Sequence, residues 1–494
     1  MKGFLMLAAV AAGTMCAGAA EYPARGDAAE IAAKVAAARA EGRHEVVVPR
    51  RNPRSGDDLW IIERTVELPS GMTVILDGAH LVFADGVFCN MFRNERANAK
   101  NRNTLAAEDR DVAVVGRNGA TLDGGNYNCW GEQWIPGKRG LFYGTDEHRA
   151  ALRKAGDKRL TDNSFIYFHN VKGFRVEGLR LHHQRYWACC FSFCEQGVIR
   201  DIRFEADISW VSLDGKEHRP NCVPGNGENL YLKNGDGIDL RKGCNNILVE
   251  NLSGWSEDDM LAMTNLAGGL RDAVEGKCHD IHHITVRNVR GTAFIWFNLI
   301  RLLCADGAKI HDIDIDGVRD EFEPRMPWRA ILSAVQINDH SKEYYRERPA
   351  VMGEVKDVTI RNVVSGASQP LHLFGPIENL TVEGVHLLPG AHCVADVMFD
   401  AEFRNTRISR VTADESVKLC SILDFVGVKG EVAVDDVRVS EVKHLSRNCG
   451  NAKFTFTNLK IGRITGEREA KSDPDGRHVA VVELPNCTEI SEGL

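Results

Sequence analysis

The sequence has fewer positively than negatively charged residues, and it lacks long internal apolar runs. Lys and Arg total 61 against 69 Asp and Glu, which gives a formal net charge of −8. Proteins that bind nucleic acid usually carry the opposite balance, so this charge argues against that class. No internal apolar run reaches the roughly 20 residues that a membrane-spanning helix needs. Hydrophobic residues still make up 44 % of the chain, which is typical of a folded globular protein and argues against wholesale disorder.

The first 20 residues have the pattern of a secretory signal peptide. Lys2 precedes a short apolar stretch, and small residues follow it up to Ala20. That order predicts cleavage after Ala19 or Ala20 and export to the periplasm or the medium. We therefore divide the chain into a signal peptide, residues 1–20, and a single domain, residues 21–494.

Cysteine is plentiful, and export permits disulfides. Removal of the signal peptide leaves 13 of the 14 cysteines, an odd number that implies a free thiol if no partner chain is involved. Adjacent residues of a strand face opposite sides, so Cys189 and Cys190 are poorly placed to share a metal ion. We expect buried thiols with one or two disulfide bridges. The same alternation argues against metal sites at the adjacent histidines 182–183 and 282–283.

A short pattern recurs through most of the chain. Apolar and polar residues alternate, Asn or Gly follows, and an apolar residue comes next, as in Ile247-Leu-Val-Glu-Asn-Leu252 and Ile284-Thr-Val-Arg-Asn-Val289. Alternation at period two predicts strands, and Asn and Gly tolerate the left-handed backbone of a sharp bend. The bend residue returns 22 positions on, at Asn362 and Gly384. Stacked coils of this kind predict an all-β fold, a right-handed parallel β-helix.

The N-terminal stretch predicts a cap for this solenoid. Asp27 to Glu41 is rich in Ala and helical in character, Glu45 to Pro49 predicts a strand, and Leu68 to Gly78 predicts strand, turn and strand. A cap is needed because the first coil would otherwise expose an open sheet edge. The asparagines at the repeated bend are expected to form a structural ladder: Asn251, Asn288, Asn362 and Asn458.

Two segments carry carboxylates at the spacing of one coil. Asn234-Gly-Asp-Gly-Ile-Asp-Leu240 supplies Asp236, and Ser256-Glu-Asp-Asp-Met-Leu-Ala262 supplies Asp258 and Asp259. Asp236 and Asp258 are 22 residues apart, so a β-helix would stack them on adjacent coils of one face. Clustered like charges raise the pKa of at least one carboxyl group and couple the titrations. A glycosidase uses such a cluster, because one carboxyl group must stay protonated while another stays ionised.

Calcium binding and turn capping are the alternatives for these acids, and Asp239 is expected to be a turn residue.

The carboxylate motifs resemble those of glycoside hydrolase family 28, the polygalacturonase family. Its members carry Asn-Thr-Asp and, one coil later, Asp-Asp on a right-handed parallel β-helix, which correspond here to 234–236 and 258–259. Two further stretches, 120–125 and 185–187, are similar to other segments of that family, and the resemblance covers most of the chain.

The resemblance implies a role for each of these residues. Asp258 would be the general acid, and Asp236 and Asp259 would position and activate water. The family inverts the anomeric centre, which requires acid and base to stand roughly 6.5–9.5 Å apart with water between them. Asn234 would orient the sugar or a neighbouring carboxylate. The mechanism implies no cofactor and no metal ion.

Two departures from the family concern the substrate. The family has Gly-His-Gly one coil after the Asp pair, whereas His279 lies in Lys277-Cys-His-Asp-Ile281, without the glycines. The family then has Arg-Ile-Lys, which grips the galacturonate carboxylate, whereas here Arg301 is kept and Leu303 stands in place of Lys. His279 and Arg301 are predicted to bind substrate. Because half of the anion clamp is lost, the sequence leaves open a neutral or differently charged sugar next to the scissile bond.

We therefore predict an exported, monomeric β-helix that hydrolyses a pectin-like or other uronate-containing polysaccharide with inversion, with no nucleic-acid or membrane partner. A polysaccharide lyase on the same fold is one alternative, with Arg301 as base and calcium on the three carboxylates. A non-catalytic glycan-binding solenoid is the other. We expect one or two of five tryptophans to be sugar-stacking platforms: Trp130, Trp134, Trp187, Trp210 and Trp296.

Overall fold

The structure of the chain, a computed structural model, is a right-handed parallel β-helix, as the repeat predicts. It describes residues 21–85, 87, 89–97, 108–125, 163–206, 210–211, 217–218, 235–266, 274–293, 297–321, 332–339, 344–397, 401–425, 428–448, 452–466, 469–471, 481–483 and 489–492. The predicted signal peptide lies outside these ranges. No helix among the residues in these ranges is long and apolar enough to cross a membrane.

Each coil of the solenoid has three faces. In the first coils each strand pairs in parallel with the strand three further along the chain, so three strands complete one coil. We call the faces A, B and C. Face A consists of β3 (Val66–Leu68), β6 (Phe92–Asn94), β9 (Ile166–His169), β12 (Cys189–Ser192), β16 (Ile238–Arg241), β18 (Leu261–Leu266), β20 (Asn298–Ala305), β22 (Ser333–Ile337), β24 (Leu371–Leu373), β26 (Ala395–Val397), β28 (Lys418–Phe425), residues 441–448 at the end of β29 (Lys429–Asn448), and β31 (Glu469–Lys471).

Faces B and C begin as separate strands and later merge. Face B has β1 (Glu45–Pro49), β4 (Thr73–Asp77), β7 (Asp109–Arg117), β10 (Val171–Glu177) and β32 (Val481–Glu483). Face C has β2 (Leu59–Ile62), β5 (His80–Phe83), β8 (Thr121–Asp123), β11 (Arg180–His182) and β33 (Glu489–Glu492). Longer strands bend across both faces: β13 (Glu195–Glu205), β17 (Asn245–Ser256), β19 (Ile281–Ala293), β21 (Ile310–Asp320), β23 (Val355–Ser365), β25 (Ile377–Leu387), β27 (Glu402–Ala413), β29 and β30 (Ala452–Ile464). The last part of β29 continues onto face A. Two short strands, β14 (Trp210–Val211) and β15 (Glu217–His218), form a separate antiparallel pair.

The interior is one continuous apolar core, because inward residues stack at equal positions on successive coils. On face B the register aligns Val249 with Val286, then with Ile315 and Ile360, and all four are buried. Burial of such a side chain stabilises the fold by about 1.5–3 kcal/mol. A column of this kind along the solenoid axis holds the coils in register.

The N-terminal cap is present as predicted. Helix α1 (Asp27–Ala40) packs on β1, β2 and β3 through its buried side chains, which include Ile31 and Val35. A 3-10 turn, Glu95–Ala97, follows β6. The predicted strand at Glu45–Pro49 is β1, and the predicted strand, turn and strand correspond to β3 and β4. The helix therefore covers apolar surface of the first coil.

The predicted asparagine ladder occurs where the long strands bend from face B to face C. Asn251 and Asn288 have left-handed backbone, with φ of 56° and 53°. The Asn288 Nδ2 donates to Asn251 Oδ1 at 2.7 Å, and Asn251 Nδ2 donates to Asp201 Oδ1 at 2.8 Å. Asn362 and Asn458 share this conformation. These asparagines are structural, because each amide donates to an Asn or Asp side chain of the neighbouring coil.

Replacement of Asn288 by alanine tests this account of the bend. Alanine in left-handed backbone costs roughly 1–2 kcal/mol, and the amide hydrogen bond is lost as well. We expect Asn288→Ala to lower the free energy of unfolding by about 1–2 kcal/mol in urea titrations. Asn288→Gly should lose less, since glycine adopts positive φ freely. Thr285→Ala, in extended backbone on the same strand, is the control, and equal losses in all three variants would contradict the explanation.

Candidate active site

Asp236, Asp258 and Asp259 lie in the turns that lead into face A. Asp236 comes two residues before β16, and Asp258 and Asp259 come just before β18, the next strand on that face. The backbone N–H of Gly237 donates to the Asp259 carbonyl at 2.9 Å, and that of Ala188 donates to the Asp236 carbonyl at 2.8 Å. These bonds hold the two turns one coil apart, on the same edge of face A, as the spacing predicts.

All three carboxylates are buried, with exposures of 5 %, 5 % and 0 %. Burial raises the pKa of Asp236 well above its usual range, and the nearby Asp258 charge adds to the effect. Burial raises the pKa of Asp258 in the same way, with Asp259 as the main charged contributor. At both positions the neutral form of the carboxyl is therefore favoured more than in an exposed aspartate.

Asp259 differs because cationic and amide donors surround it. Its Oδ1 accepts from the Asn298 backbone N–H at 3.0 Å and from Asn298 Nδ2 at 2.8 Å, and its Oδ2 forms a salt bridge with Arg301 Nε at 3.2 Å. Burial raises the pKa of Asp259, but the Arg301 guanidinium and the Asn298 donors oppose the rise. Asp259 is thus the carboxylate of the three that is best placed to stay ionised.

Asn298 is a site residue that sequence reasoning missed. It begins β20, and it stands on face A one coil beyond Asp259. Ser333, paired with it on the following coil, donates from Oγ to Asn298 Oδ1 at 2.6 Å. This bond fixes the amide so that its NH₂ points to Asp259. Residue spacing did not reveal this contact, because 39 residues separate Asp259 from Asn298 in the chain.

Asp239 was expected to be a turn residue, and the structure corrects this. It is a strand residue of β16, fully buried, and its Oδ1 lies 3.3 Å from Arg241 Nη1. The Arg241 guanidinium also stacks on the Trp187 ring, 4.3 Å from its centroid. Burial raises the pKa of Asp239 to about 7, although Arg241 opposes the rise. The alternation in Ile238-Asp-Leu-Arg241 was the available signal, since it puts Asp239 and Arg241 on one side of a strand.

Several polar atoms of this cluster have no hydrogen-bond partner among the residues that the structure describes. They are Asp236 Oδ1, Asp239 Oδ2 and Arg241 Nε, and the Asp259 Oδ2–Arg301 Nε contact is an ion pair without hydrogen-bond geometry. Buried polar groups in folded proteins are nearly always hydrogen-bonded, so a set of such atoms on one outer face needs an explanation. Groups that both donate and accept, such as water and sugar hydroxyls, match this mixture of carboxylate oxygens and guanidinium N–H groups.

The remaining predicted site residues are placed less favourably. Asn234 lies outside the described residues. His279 is exposed in the turn before β19, and its ring packs edge-on against Phe193 with centroids 5.5 Å apart. That turn follows β18, whereas the carboxylates precede it, so His279 lies at the opposite edge of face A. Leu303 is buried in β20. Of the two predicted substrate-binding residues that the structure describes, Arg301 lies beside the carboxylates and His279 does not.

The adjacent histidines do not alternate as predicted, because the second residue of each pair has positive φ. The Nδ1 atoms of His182 and His183 both approach Asp123, at 4.0 and 3.1 Å, and His282 Nδ1 lies 2.7 Å from His283 Nδ1. In the described ranges no group of three His, Cys, Asp or Glu side chains is arranged to hold a metal ion.

The cysteines are mainly buried thiols, as predicted, but the predicted bridges are not found in the described part of the chain. No disulfide joins two of the nine cysteines there, and Cys189, Cys190, Cys194 and Cys244 are buried. Cys189 is in the apolar core, whereas Cys190 aligns with Asp239 on the outer side of face A. The expected opposite orientation of these two neighbours is confirmed.

Replacement of Asp239 by asparagine should change how stability depends on pH. The folded chain keeps a proton on Asp239 up to about pH 7, whereas the unfolded chain releases it near the ordinary pKa of about 3.9. Stability conferred by this proton therefore falls as pH rises between these values. We expect Asp239→Asn to exceed the unmodified chain in urea midpoint at pH 8, by a margin that shrinks toward pH 4. A margin independent of pH would contradict the assignment.

Fold and site together define a parallel β-helix protein with a buried carboxylate cluster on one outer face. No protein-family model and no curated protein sequence matches the chain. Solved structures do match. A tailspike protein of E. coli bacteriophage HK620, in complex with a hexasaccharide, is 10 % identical, with 92 % of this chain and 73 % of that chain covered and a TM-score of 0.52.

Two further structures are similar over comparable lengths. A family 28 exopolygalacturonase from Yersinia enterocolitica is 12 % identical, with 89 % of this chain and 72 % of that chain covered and a TM-score of 0.44. The A-module of a mannuronan C-5 epimerase from Azotobacter vinelandii is 11 % identical, with 97 % and 98 % covered and a TM-score of 0.46. At these identities the similarity concerns the fold alone.

Proposed function

We propose that the chain is an inverting glycoside hydrolase that acts on a pectin-like or other uronate-containing polysaccharide. The observation that supports this most is the unequal environment of neighbouring buried carboxylates. Asp258 has its pKa raised by burial and by Asp259, whereas Asp259 is held by Arg301 and Asn298. Neighbouring groups whose environments favour opposite protonation states are suited to acid and base roles.

In the proposed reaction Asp258 is the general acid. Its proton passes to the glycosidic oxygen as the bond from that oxygen to the anomeric carbon breaks. A water molecule attacks the same carbon from the opposite side and gives a proton to Asp259, with Asp236 as a second acceptor for its hydrogen bonds. After the cut Asp258 is ionised and Asp259 is protonated, and proton exchange with solvent restores both.

The alternatives receive less support from the site. A lyase would need Arg301 as a base, but the neighbouring carboxylates, Asp259 first, raise the pKa of Arg301 well above its usual value despite burial. A guanidinium held in this way is a poor proton acceptor. A glycan-binding solenoid gives no reason to bury Asp236, Asp258 and Asp259 together, because the mutual repulsion costs stability.

The proposal includes export of a single catalytic domain that works as a monomer on a polysaccharide, without a cofactor. The test is to incubate residues 21–494 with homogalacturonan, rhamnogalacturonan and neutral galactan. New reducing ends without the ultraviolet absorbance of unsaturated sugars are expected, and NMR should show the inverted anomer first. Ultraviolet-absorbing products would favour the lyase, and retention of configuration would exclude the mechanism. Binding without cleavage of any glycan would favour the non-catalytic alternative.

A further inference from the structure

A column of polar side chains continues along face A beyond the carboxylates. The parallel register aligns one outward residue from each successive coil, in the order Asp239, Ala262, Arg301, Gln336, His372, Asp396, Asp424 and Arg447. Neighbouring strands are about 4.8 Å apart, which is close to the length of one sugar unit in an extended chain. A polysaccharide laid along the solenoid axis would meet one member of the column per unit.

The middle of this column is buried although it faces outward. Gln336, His372 and Asp396 are only 4 %, 4 % and 3 % exposed. Outward residues of the same coils on face B, such as Thr359 and Thr381, are half-buried or exposed. Buried polar residues that converge on one face line a recessed site more often than a plain solvent surface. The column opens toward its end, where the Arg447 side chain is 44 % exposed.

The histidine and both arginines of the column are already paired with carboxylates. His372 Nδ1 is hydrogen-bonded to Asp396 Oδ1, and Arg447 Nε lies 3.0 Å from Asp424 Oδ1. Arg301 is likewise paired with Asp259. A uronate placed here would bring another negative charge next to these carboxylates, of which Asp259 and Asp396 are buried, and this is costly. A hydroxyl group avoids this cost, since it donates to a carboxylate and accepts from an imidazole or guanidinium at once.

His372 is held rigidly at the centre of this surface. Asp396 fixes the ring through Nδ1, and the Phe374 ring packs perpendicular to it, with centroids 4.1 Å apart. Phe374 is itself only half-buried, so it adds an apolar surface beside the polar pair. An aromatic ring next to paired hydrogen-bonding groups suits the apolar face and the hydroxyls of one sugar unit.

We propose that face A from Gln336 to Arg447 binds uncharged, hydroxyl-bearing sugar units, with His372 and Asp396 as specificity-determining residues. This inference rests on the proposed function, and it narrows the substrate to a polysaccharide whose units on this side of the cut are neutral. Uronate units then belong to the other side of the cut. The buried Leu303, in place of the lysine of a uronate clamp, agrees with this division.

The test is calorimetric titration of Asp258→Asn protein with neutral galacto- and xylo-oligosaccharides and with oligogalacturonates of the same length. Neutral chains should bind at least about tenfold more tightly. In the otherwise unmodified chain, His372→Gln should raise KM for the neutral chains about tenfold and leave kcat nearly unchanged. The matched control is His386→Gln, because His386 also pairs with an aspartate, Asp414, but lies exposed on β25.

Tighter binding of oligogalacturonates would overturn the proposal, and so would the absence of binding by both sets. Equal effects of His372→Gln and His386→Gln would also overturn it. The comparison of neutral with charged ligands needs no substitution at His372, so it stands even where that variant folds poorly. Neutral binding without any cleavage by the unmodified chain would refute the hydrolase and leave this inference standing. Cleavage together with tighter binding of oligogalacturonates would support the hydrolase and overturn this inference.

Discussion

Replacement of Asp258 by asparagine is expected to reduce kcat about 10²–10⁴-fold, because the leaving oxygen would lose its proton donor. The asparagine keeps the size of the side chain and can still accept the Asp259 backbone N–H that Asp258 Oδ1 accepts at 2.8 Å. Stability should not fall, because a buried acid next to Asp259 is replaced by a neutral group. Initial rates of reducing-end release and urea titrations of the same preparations measure both effects.

Asp436→Asn is the matched control for this experiment. Asp436 occupies a left-handed bend position that asparagine also tolerates, far from Asp258 in the chain and at the bend between faces B and C. It should keep full activity. If Asp258→Asn keeps more than about a tenth of the activity, Asp258 is not the general acid, since that role contributes at least about a hundredfold.

Replacement of Arg301 by glutamine should have the largest effect on stability. Arg301 is the cation paired with Asp259, and its side chain is only 13 % exposed. Removal of one partner from a buried ion pair typically costs about 3–5 kcal/mol, because a buried charge is left uncompensated. Without the guanidinium the pKa of Asp259 should rise further, so activity should be lost at neutral pH and recover in part as pH rises.

Two controls separate this effect from a general loss of charge. Arg301→Lys keeps the cation but not the planar guanidinium, so it should restore part of the stability and activity. Arg361→Gln breaks a similar pair with Asp314 on face B, where both partners are more exposed, and should cost less than about 1 kcal/mol. Equal losses from Arg301→Gln and Arg361→Gln, measured by urea titration, would contradict the special role of Arg301.

The fold could be predicted from the sequence because its signal is repeated. Each bend places a left-handed residue, such as Asn251 or Asn288, after the same alternation of apolar and polar residues. Many weak local preferences then favour the same register, and the repeat itself produces the stacked core. The cap was predicted for a similar reason, since its helix and first strand are continuous segments.

The site could be predicted only where neighbouring coils lack insertions. Asp236 and Asp258 were found because a single coil of typical length separates them. Asn298 was missed because the longer stretch after β18 moves it well away from Asp259 in the chain, and residue counting selected His279 instead. Asp239 was missed because a polar residue in a short strand looks like a turn residue until its pairing is known.

The position of each site residue is set by the coil on which it lies and hardly at all by its residue number. The steps from Asp259 to Asn298 and from Asn298 to Ser333 take 39 and 35 residues, yet each step is one coil. Turns can therefore lengthen or shorten while the reacting groups stay where the sheet holds them. In evolutionary terms, the turns that select a substrate and the side chains that cleave it can vary independently. Related chains could therefore change their preferred glycan without rebuilding their catalytic centre.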